Sequence, residues 1–163
     1  MSIDLQEAIK RSIQTEKNAM NFYQLAALSM KDPEARRIFE TLAREEREHA
    51  GHFYSIYPGN DIPSLEDFLN TPFDNESGWL SPLTRMYENE YNDKMSLELA
   101  MEKEQKLEET LLGFAAKFED AGVRAIYELN AKETHNHYLL IEAQYSRIMG
   151  MVDESDMDIF VRE

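Results

Sequence analysis

The chain has 163 residues, enough for one domain with a sizeable buried core, and it is rich in helix-forming residues with few glycines and prolines. It carries 32 acidic residues against 17 basic ones, a formal net charge of −15, and a surface of that sign repels nucleic acid and anionic lipid. Cysteine is absent, which excludes disulfides, thiol catalysis and any zinc or iron–sulfur site with cysteine ligands.

The first two predicted helices form a hairpin. Asp4 and Glu7 can make a capping box, and the apolar stripe that follows has helical spacing, which predicts a helix over residues 4–30. Asp32-Pro33 is a helix start, with the aspartate as N-cap and the proline at the first helical position. It predicts a second helix over residues 33–57. Because the link is so short, the two helices are expected to be antiparallel neighbours.

The helical pattern breaks over residues 58–92, where turn signals are frequent. Within this connection, the segment 64–70 predicts one short helical turn. Ser81-Pro82 is expected to cap another short helix. Trp79 and Phe73 are predicted to pin the connection to the bundle, since large aromatic side chains are usually buried.

Two more long helices follow, and a short turn joins them. The sequence predicts a third helix that begins near Asp93 or Ser96 and ends at about residue 118. It predicts a fourth helix over residues 123–149, with Gly150 as its C-terminal stop. Residues 1–150 are therefore predicted to form the helical domain. Residues 151–163 are expected to be an acidic tail or a short docking segment.

The second predicted helix contains a Glu-x-x-His pair, Glu46 and His49. Residues three apart share one face of a helix, and this pair falls on the apolar stripe, so both side chains should point into the bundle. Glu16 and Glu104 interrupt the apolar stripes of the first and third helices in the same way. Glu-x-x-His pairs inside a helix bundle can bind two iron or manganese ions. The alternative is a chance occurrence of the pattern in a glutamate-rich helix.

The chain contains an internal repeat. When residues 5–57 are moved along by 88 positions without a gap, ten residues are identical, where about three are expected by chance. The repeat indicates a duplicated helical hairpin. Two hairpins joined by a long connection predict an all-α, ferritin-like four-helix bundle with one crossover. The identical pairs include Glu16/Glu104, Asp32/Asp120, Arg36/Arg124, Glu45/Glu133 and His49/His137.

A pseudo-twofold axis through such a bundle would bring the inward-facing glutamates and histidines together. Buried carboxylates need partners, and carboxylates that share a site without a cation raise one another's pKa. One or two divalent ions would supply the partner, and carboxylate and imidazole ligands suit iron, manganese or zinc. The alternative is a polar network without metal. The converging residues are Glu16, Glu46, His49, Glu104 and His137.

In these residues the chain resembles the rubrerythrin-like branch of the ferritin-like superfamily, over about residues 5–57 and 93–148. The resemblance is carried by Glu16-x6-Tyr23, Leu42-Ala43-x-x-Glu46-x-x-His49, Glu104 and Ala131-x-x-Thr134-x-x-His137. It implies two irons between the four helices, in proteins that reduce peroxide, activate oxygen or handle iron. By position, it implies Glu16 and Glu104 as terminal ligands, Glu46 as the bridging ligand, His49 and His137 as imidazole ligands, and Tyr23 as a catalytic side chain within hydrogen-bonding reach of a ligand.

The chain departs from this pattern in two respects. Thr134 stands where the second Glu-x-x-His motif would have its glutamate, and Leu111 stands where a second tyrosine is expected. Glu133 and Glu108 are candidates for the missing carboxylate, and the site could hold two ions, hold one, or be degenerate. The cysteine-rich electron-transfer module of classical rubrerythrins is also absent, so electrons would come from a separate protein.

The resemblance therefore favours a diiron oxidoreductase that acts on peroxide or oxygen with an external electron donor. Two alternatives are an iron-binding or iron-buffering protein without turnover and a structural bundle with a degenerate site. Related bundles commonly pair, so a homodimer is expected. No membrane span and no secretory signal are recognisable, and we expect a cytoplasmic protein that binds neither nucleic acid nor membrane.

Overall fold

The computed structural model describes residues 4–161, and it describes side chains as far as Met151. Over this range the chain is all-helical, and the prediction of a ferritin-like helical bundle is confirmed. No helix in these residues is long and apolar enough to cross a membrane. The helices are α1 (Leu5–Ser29), α2 (Pro33–Ser55), α3 (Leu65–Leu69), α4 (Leu80–Asn89), α5 (Asp93–Lys117) and α6 (Ala121–Val161).

The α1–α2 hairpin begins and turns at the predicted caps. The Asp4 carboxylate accepts hydrogen bonds from the backbone amides of Gln6 and Glu7 in the first turn of α1. The Asp32 carboxylate accepts one from the amide of Ala35, with Pro33 in the first turn of α2. These caps satisfy amide groups that have no partner within the helix, which is why the sequence located both helix starts. The end of α2 lies at Ser55, two residues before the predicted end.

The α5–α6 hairpin turns by the same contacts as the first one. Arg36 donates two hydrogen bonds to the carbonyl of Met30, and Arg124 donates two to the carbonyl of Phe118. Each acceptor is the C-cap residue of the preceding helix, so the arginine satisfies a carbonyl at a helix end. The two arginines are 88 positions apart, as are the two acceptors.

The connection between the hairpins contains α3 and α4. Trp79 is buried, as predicted, and its ring lies 5.5 Å from that of Phe22, measured between centroids. The prediction for Phe73 is wrong: it is 40% exposed, with the Lys17 ammonium 5.8 Å from its ring centroid. The predicted Ser81 cap is also wrong. Helix α4 begins earlier, where the Ser77 hydroxyl accepts a hydrogen bond from the amide of Leu80.

Gly150 does not end the last helix, contrary to the prediction, because α6 continues to Val161. Glycine inside a helix costs only about 1 kcal/mol relative to alanine, and here it does not adopt the left-handed conformation that stops a helix. The backbone of the predicted acidic tail is therefore helical as far as it is described. Its side chains from residue 152, and residues 162–163 altogether, lie outside the described residues.

The two hairpins pack unevenly against each other. Helices α2 and α6 approach each other closely at several points along the bundle, whereas the backbones of α1 and α5 do so at very few positions. Buried apolar side chains of all four helices form one hydrophobic cluster between them. This asymmetry gives the α1–α5 side of the bundle more room than the α2–α6 side.

Candidate metal centre

Five ionisable side chains meet in the middle of the bundle, where the apolar stripes of the four long helices face one another. Burying one such group without a partner is costly, so a cluster of five requires compensation by charge pairing or by a cation. The cluster contains the five residues that the sequence predicted to converge. All have zero exposure except His137 at 3%: Glu16 from α1, Glu46 and His49 from α2, Glu104 from α5 and His137 from α6.

Glu46 lies between the two imidazoles. One of its carboxylate oxygens is 2.9 Å from Nδ1 of His137, and the other is 3.3 Å from Nδ1 of His49. The two rings stack with their centroids 5.0 Å apart and their planes 15° apart. One ligand atom from each of these three residues can be chosen so that all lie within 4.8 Å of one another, a separation suited to binding a common cation. Glu46 thus contacts both imidazoles and forms with them a group that could hold a metal ion.

Glu16 and Glu104 flank this core on opposite sides. A carboxylate oxygen of Glu16 lies 3.7 Å from Nδ1 of His49, and one of Glu104 lies 3.6 Å from Nδ1 of His137. The arrangement therefore has two similar halves, each with one carboxylate and one imidazole, that share Glu46. This is the pattern expected from the repeat, in which both the glutamates and the histidines are 88 positions apart.

Several potential ligand atoms in this cluster are buried and have no hydrogen-bond partner among the described residues. Buried polar atoms are nearly always satisfied in folded proteins, so a group of them facing one another calls for a ligand. All are oxygens or an imidazole nitrogen, the donor set that suits iron, manganese or zinc. The residues present therefore fit a divalent metal. The atoms are Oε1 and Oε2 of Glu16, Oε2 of Glu46, Nδ1 of His49 and Oε2 of Glu104.

The carboxylates differ in their affinity for protons. Burial, together with the charge of Glu46, raises the pKa of Glu16 well above its ordinary value, and the same two causes raise the pKa of Glu104 to about 7. Burial acts on Glu46 too, but the neighbouring Glu16 carboxyl, the charge of His49 and the hydrogen bond from His137 outweigh it, so the pKa of Glu46 falls well below the ordinary value. The expectation that all three carboxylates would have raised pKa values is therefore wrong for Glu46, because it sits between two cations.

The histidines carry the balancing positive charge. Burial lowers the pKa of an imidazole, but Glu46 and Glu16 outweigh this effect and raise the pKa of His49 to about 12. Hydrogen bonds with Glu104 and Glu46 likewise overcome burial and raise the pKa of His137 to about 10. The protein alone thus neutralises Glu46 with imidazolium protons. A divalent cation would displace those protons, because only a neutral imidazole can be a ligand.

Each histidine also contacts a carboxylate through its other ring nitrogen. Nε2 of His49 lies 2.6 Å from Glu133, and Nε2 of His137 lies 2.9 Å from Glu45. Both contacts cross between α2 and α6, and both carboxylates are partly exposed. A carboxylate on the outer nitrogen keeps the proton there and leaves Nδ1 free to bind a metal. Sequence reasoning missed Glu45, although its identity with Glu133 in the repeat was a usable signal.

Tyr23 and Thr134 mark differences between the two halves. The Tyr23 hydroxyl donates a 2.6 Å hydrogen bond to Glu104, and burial raises its pKa well above the ordinary value, so it remains a proton donor. Thr134 is fully buried three residues before His137, and its hydroxyl has no hydrogen-bond partner within the described chain. Glu108, a candidate for the missing carboxylate, instead lies 2.8 Å from the half-exposed His135 outside the cluster.

The comparison with known proteins gives one result. The family model described as Rubrerythrin matches residues 7–145. No curated protein and no solved structure gives a significant match. The matched range contains every residue of the cluster.

Proposed function

The chain belongs to the rubrerythrin family, and from this premise we propose that it is a diiron carboxylate oxidoreductase that reduces peroxide or oxygen with electrons from a separate protein. The observation that carries the proposal is the set of unsatisfied oxygen and nitrogen atoms that converge between the four helices. Such atoms are expected where a cation binds.

Each half of the centre would hold one ion. Glu16 and His49 would bind the first, Glu104 and His137 the second, and Glu46 would bridge them, which matches the two halves that share one carboxylate. The matching contacts at positions 88 apart support an origin by duplication. We propose iron as the metal because the rubrerythrin family usually binds iron. Manganese and zinc are alternatives, since the same ligands also bind them.

Two ferrous ions, when bound, would supply the two electrons that cleavage of an O–O bond requires. Reduction of hydrogen peroxide to two waters also consumes two protons. Tyr23 holds a proton 2.6 Å from Glu104, and because burial raises the pKa of this tyrosine well above the ordinary value, it is able to hold that proton at the edge of the centre near neutral pH. The buried walls exclude bulk water, which protects the centre from side reactions.

Glu45 and Glu133 would orient the histidines without touching a metal. Each accepts the Nε2 proton of an imidazole from the opposite hairpin and thereby turns Nδ1 toward the cluster. In this proposal Glu133 does not replace the carboxylate that is absent at Thr134. The site would therefore have one carboxylate fewer than a symmetric one, which leaves more of the coordination sphere open to an oxidant.

Anaerobic loading with ferrous iron, followed by addition of hydrogen peroxide, tests the proposal. Elemental analysis should show bound iron, close to two per chain, and the near-ultraviolet spectrum should show rapid oxidation that is reversed by a chemical reductant over repeated cycles. Slow oxidation with ferric iron retained would favour an iron-binding protein without turnover. Failure to bind iron, manganese or zinc would favour a structural bundle.

Thr134 is the observation that favours the second candidate, an iron-binding protein without turnover. A site with one carboxylate fewer balances less of the charge of two cations, so its second ion would be bound more weakly. A protein with one tightly bound ion could store or buffer iron but could not deliver two electrons at once. A stoichiometry of one ion per chain at saturating ferrous iron would support this candidate.

A further inference from the structure

A cavity of about 210 Å³ lies between α1 and α5 on the Glu16 side of the cluster. Its lining includes the exposed residues Arg11 and Thr110 and the buried residue Glu16, so it leads from the protein surface to the part of α1 that carries a predicted ligand, whose carboxylate oxygens remain buried. Most of its wall is apolar and comes from Leu107, Leu111 and Phe114. A molecule of liquid water occupies about 30 Å³, so the cavity has room for hydrogen peroxide or dioxygen.

The cavity results from a difference between the two halves of the centre. On one side, the fully buried ring of Tyr23 packs beside Glu104 and donates a hydrogen bond to it. The residue 88 positions later is Leu111, which lines the cavity. Leucine has neither the ring to fill this space nor a hydroxyl to bond Glu16, and both oxygens of Glu16 lack a partner within the described residues. Leucine in place of the second tyrosine therefore leaves the cavity open beside this side chain.

Other features of the bundle leave this side as the accessible one. Helices α2 and α6 pack closely and are linked across their gap by His49–Glu133 and His137–Glu45. Helices α1 and α5 approach each other at few positions, and the cavity lies between them. A small molecule can therefore come near the buried Glu16 from this side without breaking an ion pair between the hairpins.

We propose that this cavity is the access route by which a small, uncharged oxidant reaches the centre, and that Leu111 sets its size limit. The inference rests on the proposed function. An uncharged molecule is favoured because the wall is mostly apolar and because a chain with net charge −15 repels anions. Leu111 is 2% exposed and lines the cavity together with Glu16, so its side-chain volume affects how much space remains there.

Xenon binding to the metal-free protein tests the cavity independently of any activity, since xenon occupies apolar cavities. A crystal of the wild-type protein under xenon pressure should show an atom beside Leu111. Leu111→Phe should displace it. Leu112→Phe is the matched control: it is the same substitution one residue later, at a side chain that is 49% exposed, and it should leave xenon in place. Absence of xenon beside Leu111 in the wild type, or its retention in Leu111→Phe, would overturn the proposal.

The oxidation of iron-loaded protein by two peroxides of different size tests the size limit. Leu111→Ala should raise the rate with tert-butyl hydroperoxide relative to hydrogen peroxide by about tenfold, the usual effect of a small volume change in an apolar pocket. Leu111→Phe should lower the same ratio, and Leu112→Phe should not change it. The alanine variant keeps the test decisive if the phenylalanine variant does not fold.

The outcomes separate this inference from the proposed function. If hydrogen peroxide oxidises the iron-loaded wild type rapidly but the rate ratio is the same in Leu111→Ala as in wild type, the centre is functional and the access route is wrong. If neither peroxide oxidises the iron-loaded wild type while xenon still occupies the cavity, the proposed function has failed, and the assignment of the cavity as an oxidant route fails with it.

Discussion

Nε2 of His49 on α2 lies 2.6 Å from the carboxylate of Glu133 on α6, so the orientation of an imidazole in one hairpin is fixed by a side chain of the other. The counterpart contact, from His137 to Glu45, runs in the reverse direction between the same two helices. Each hairpin therefore contributes both a histidine and the carboxylate that orients its counterpart. The two histidines are therefore oriented only when the two hairpins have packed together correctly.

The first prediction concerns these outer carboxylates. Glu133→Ala should weaken metal binding about tenfold to a hundredfold, the usual effect of losing a carboxylate behind a histidine ligand. Glu45→Ala should do the same for the ion beside His137. Chelator competition gives the affinities. The exposed Glu128→Ala, which removes a carboxylate of the same charge from α6, is the control. Equal affinities for wild type and Glu133→Ala would show that the contact has no part in metal binding.

The second prediction concerns the most complete ligand pair. Glu46→Ala and His49→Ala should each abolish binding of at least one ion, because Glu46 contacts both imidazoles and His49 lies beside Glu16. Elemental analysis after anaerobic loading measures the number of ions per chain. Circular dichroism shows whether each variant keeps its helical content. Wild-type stoichiometry in both folded variants would mean that the metal is bound elsewhere.

The third prediction concerns Thr134. Thr134→Glu places a carboxylate three residues before His137, on the same buried face, and should strengthen metal binding or raise the count toward two. Without metal, the same variant should be less stable than wild type, because it buries a further acidic group. Calorimetry with and without metal measures both effects. Thr134→Val, which removes the unpartnered hydroxyl at nearly constant volume, should change neither strongly. Weaker metal binding by a folded Thr134→Glu would contradict the prediction.

The sequence predicted the fold and the cluster well because both depend on local signals that repeat. Helical periodicity, the caps at Asp4 and Asp32 and the shift of 88 positions were sufficient to place four helices and to make Glu16 and Glu104 face inward. It did not predict where α6 ends. The helix continues through Gly150, and a single glycine costs only about 1 kcal/mol inside a helix, so the residue alone does not decide whether the helix stops.

The charge state of Glu46 is a second feature that the sequence did not predict. Counting buried carboxylates led to the expectation of raised pKa values for all of them. The pKa of Glu46 is instead lowered because two imidazoles lie beside its carboxylate. Their distances from Glu46 cannot be read from the sequence. The contact of Glu133 with the outer nitrogen of His49 was missed for a similar reason, because it joins two helices that are distant in sequence.

The fourth prediction concerns Tyr23. Tyr23→Phe removes the hydroxyl that donates to Glu104 but keeps the buried ring, which packs edge-on against Phe22 and Phe39. Loss of one buried hydrogen bond to a charged or polar acceptor should lower stability by about 1–3 kcal/mol. The pKa of Glu104 should rise further, because the hydroxyl stabilises its ionised form. Chemical denaturation measures the first effect, and a carboxyl-sensitive infrared titration measures the second. An unchanged stability and titration would show that the bond is not formed.

The last prediction concerns pH and metal together. In the metal-free protein Glu104 has a pKa of about 7 against an ordinary 4.5, so between these values the folded state holds a proton that the unfolded chain has released. His49 and His137, raised to about 12 and about 10 from 6.5, do the same at higher pH. Stability should therefore fall as pH rises from 4.5 through 7 and beyond.

Glu46 acts in the opposite direction, because its pKa is lowered, and its contribution is lost as pH falls below the ordinary 4.5. Metal-free protein should thus be most stable near pH 4.5, the ordinary pKa of these carboxyls, and should lose stability on either side of it. A bound divalent ion replaces the protons, so the stabilisation that metal provides should grow as pH rises. At a hundredfold excess over Kd it amounts to about 2.7 kcal/mol, and at about 2–4 °C per kcal/mol it should raise Tm by several degrees.

A control is needed because the net charge of −15 also makes the folded protein more stable at mildly acidic pH, where some of that charge is neutralised. Glu46→Gln removes the carboxylate that raises both histidine pKa values but changes the net charge by only one, so it should flatten the alkaline part of the pH profile and reduce the metal-induced rise in Tm. The exposed Glu128→Gln makes the same change of charge on the surface and should leave both unchanged. If calorimetry gives the same pH profile for Glu46→Gln and wild type, and no shift with ferrous or manganous ion in wild type, the buried glutamates and histidines do not form a shared cation site, and the structural bundle is the better interpretation.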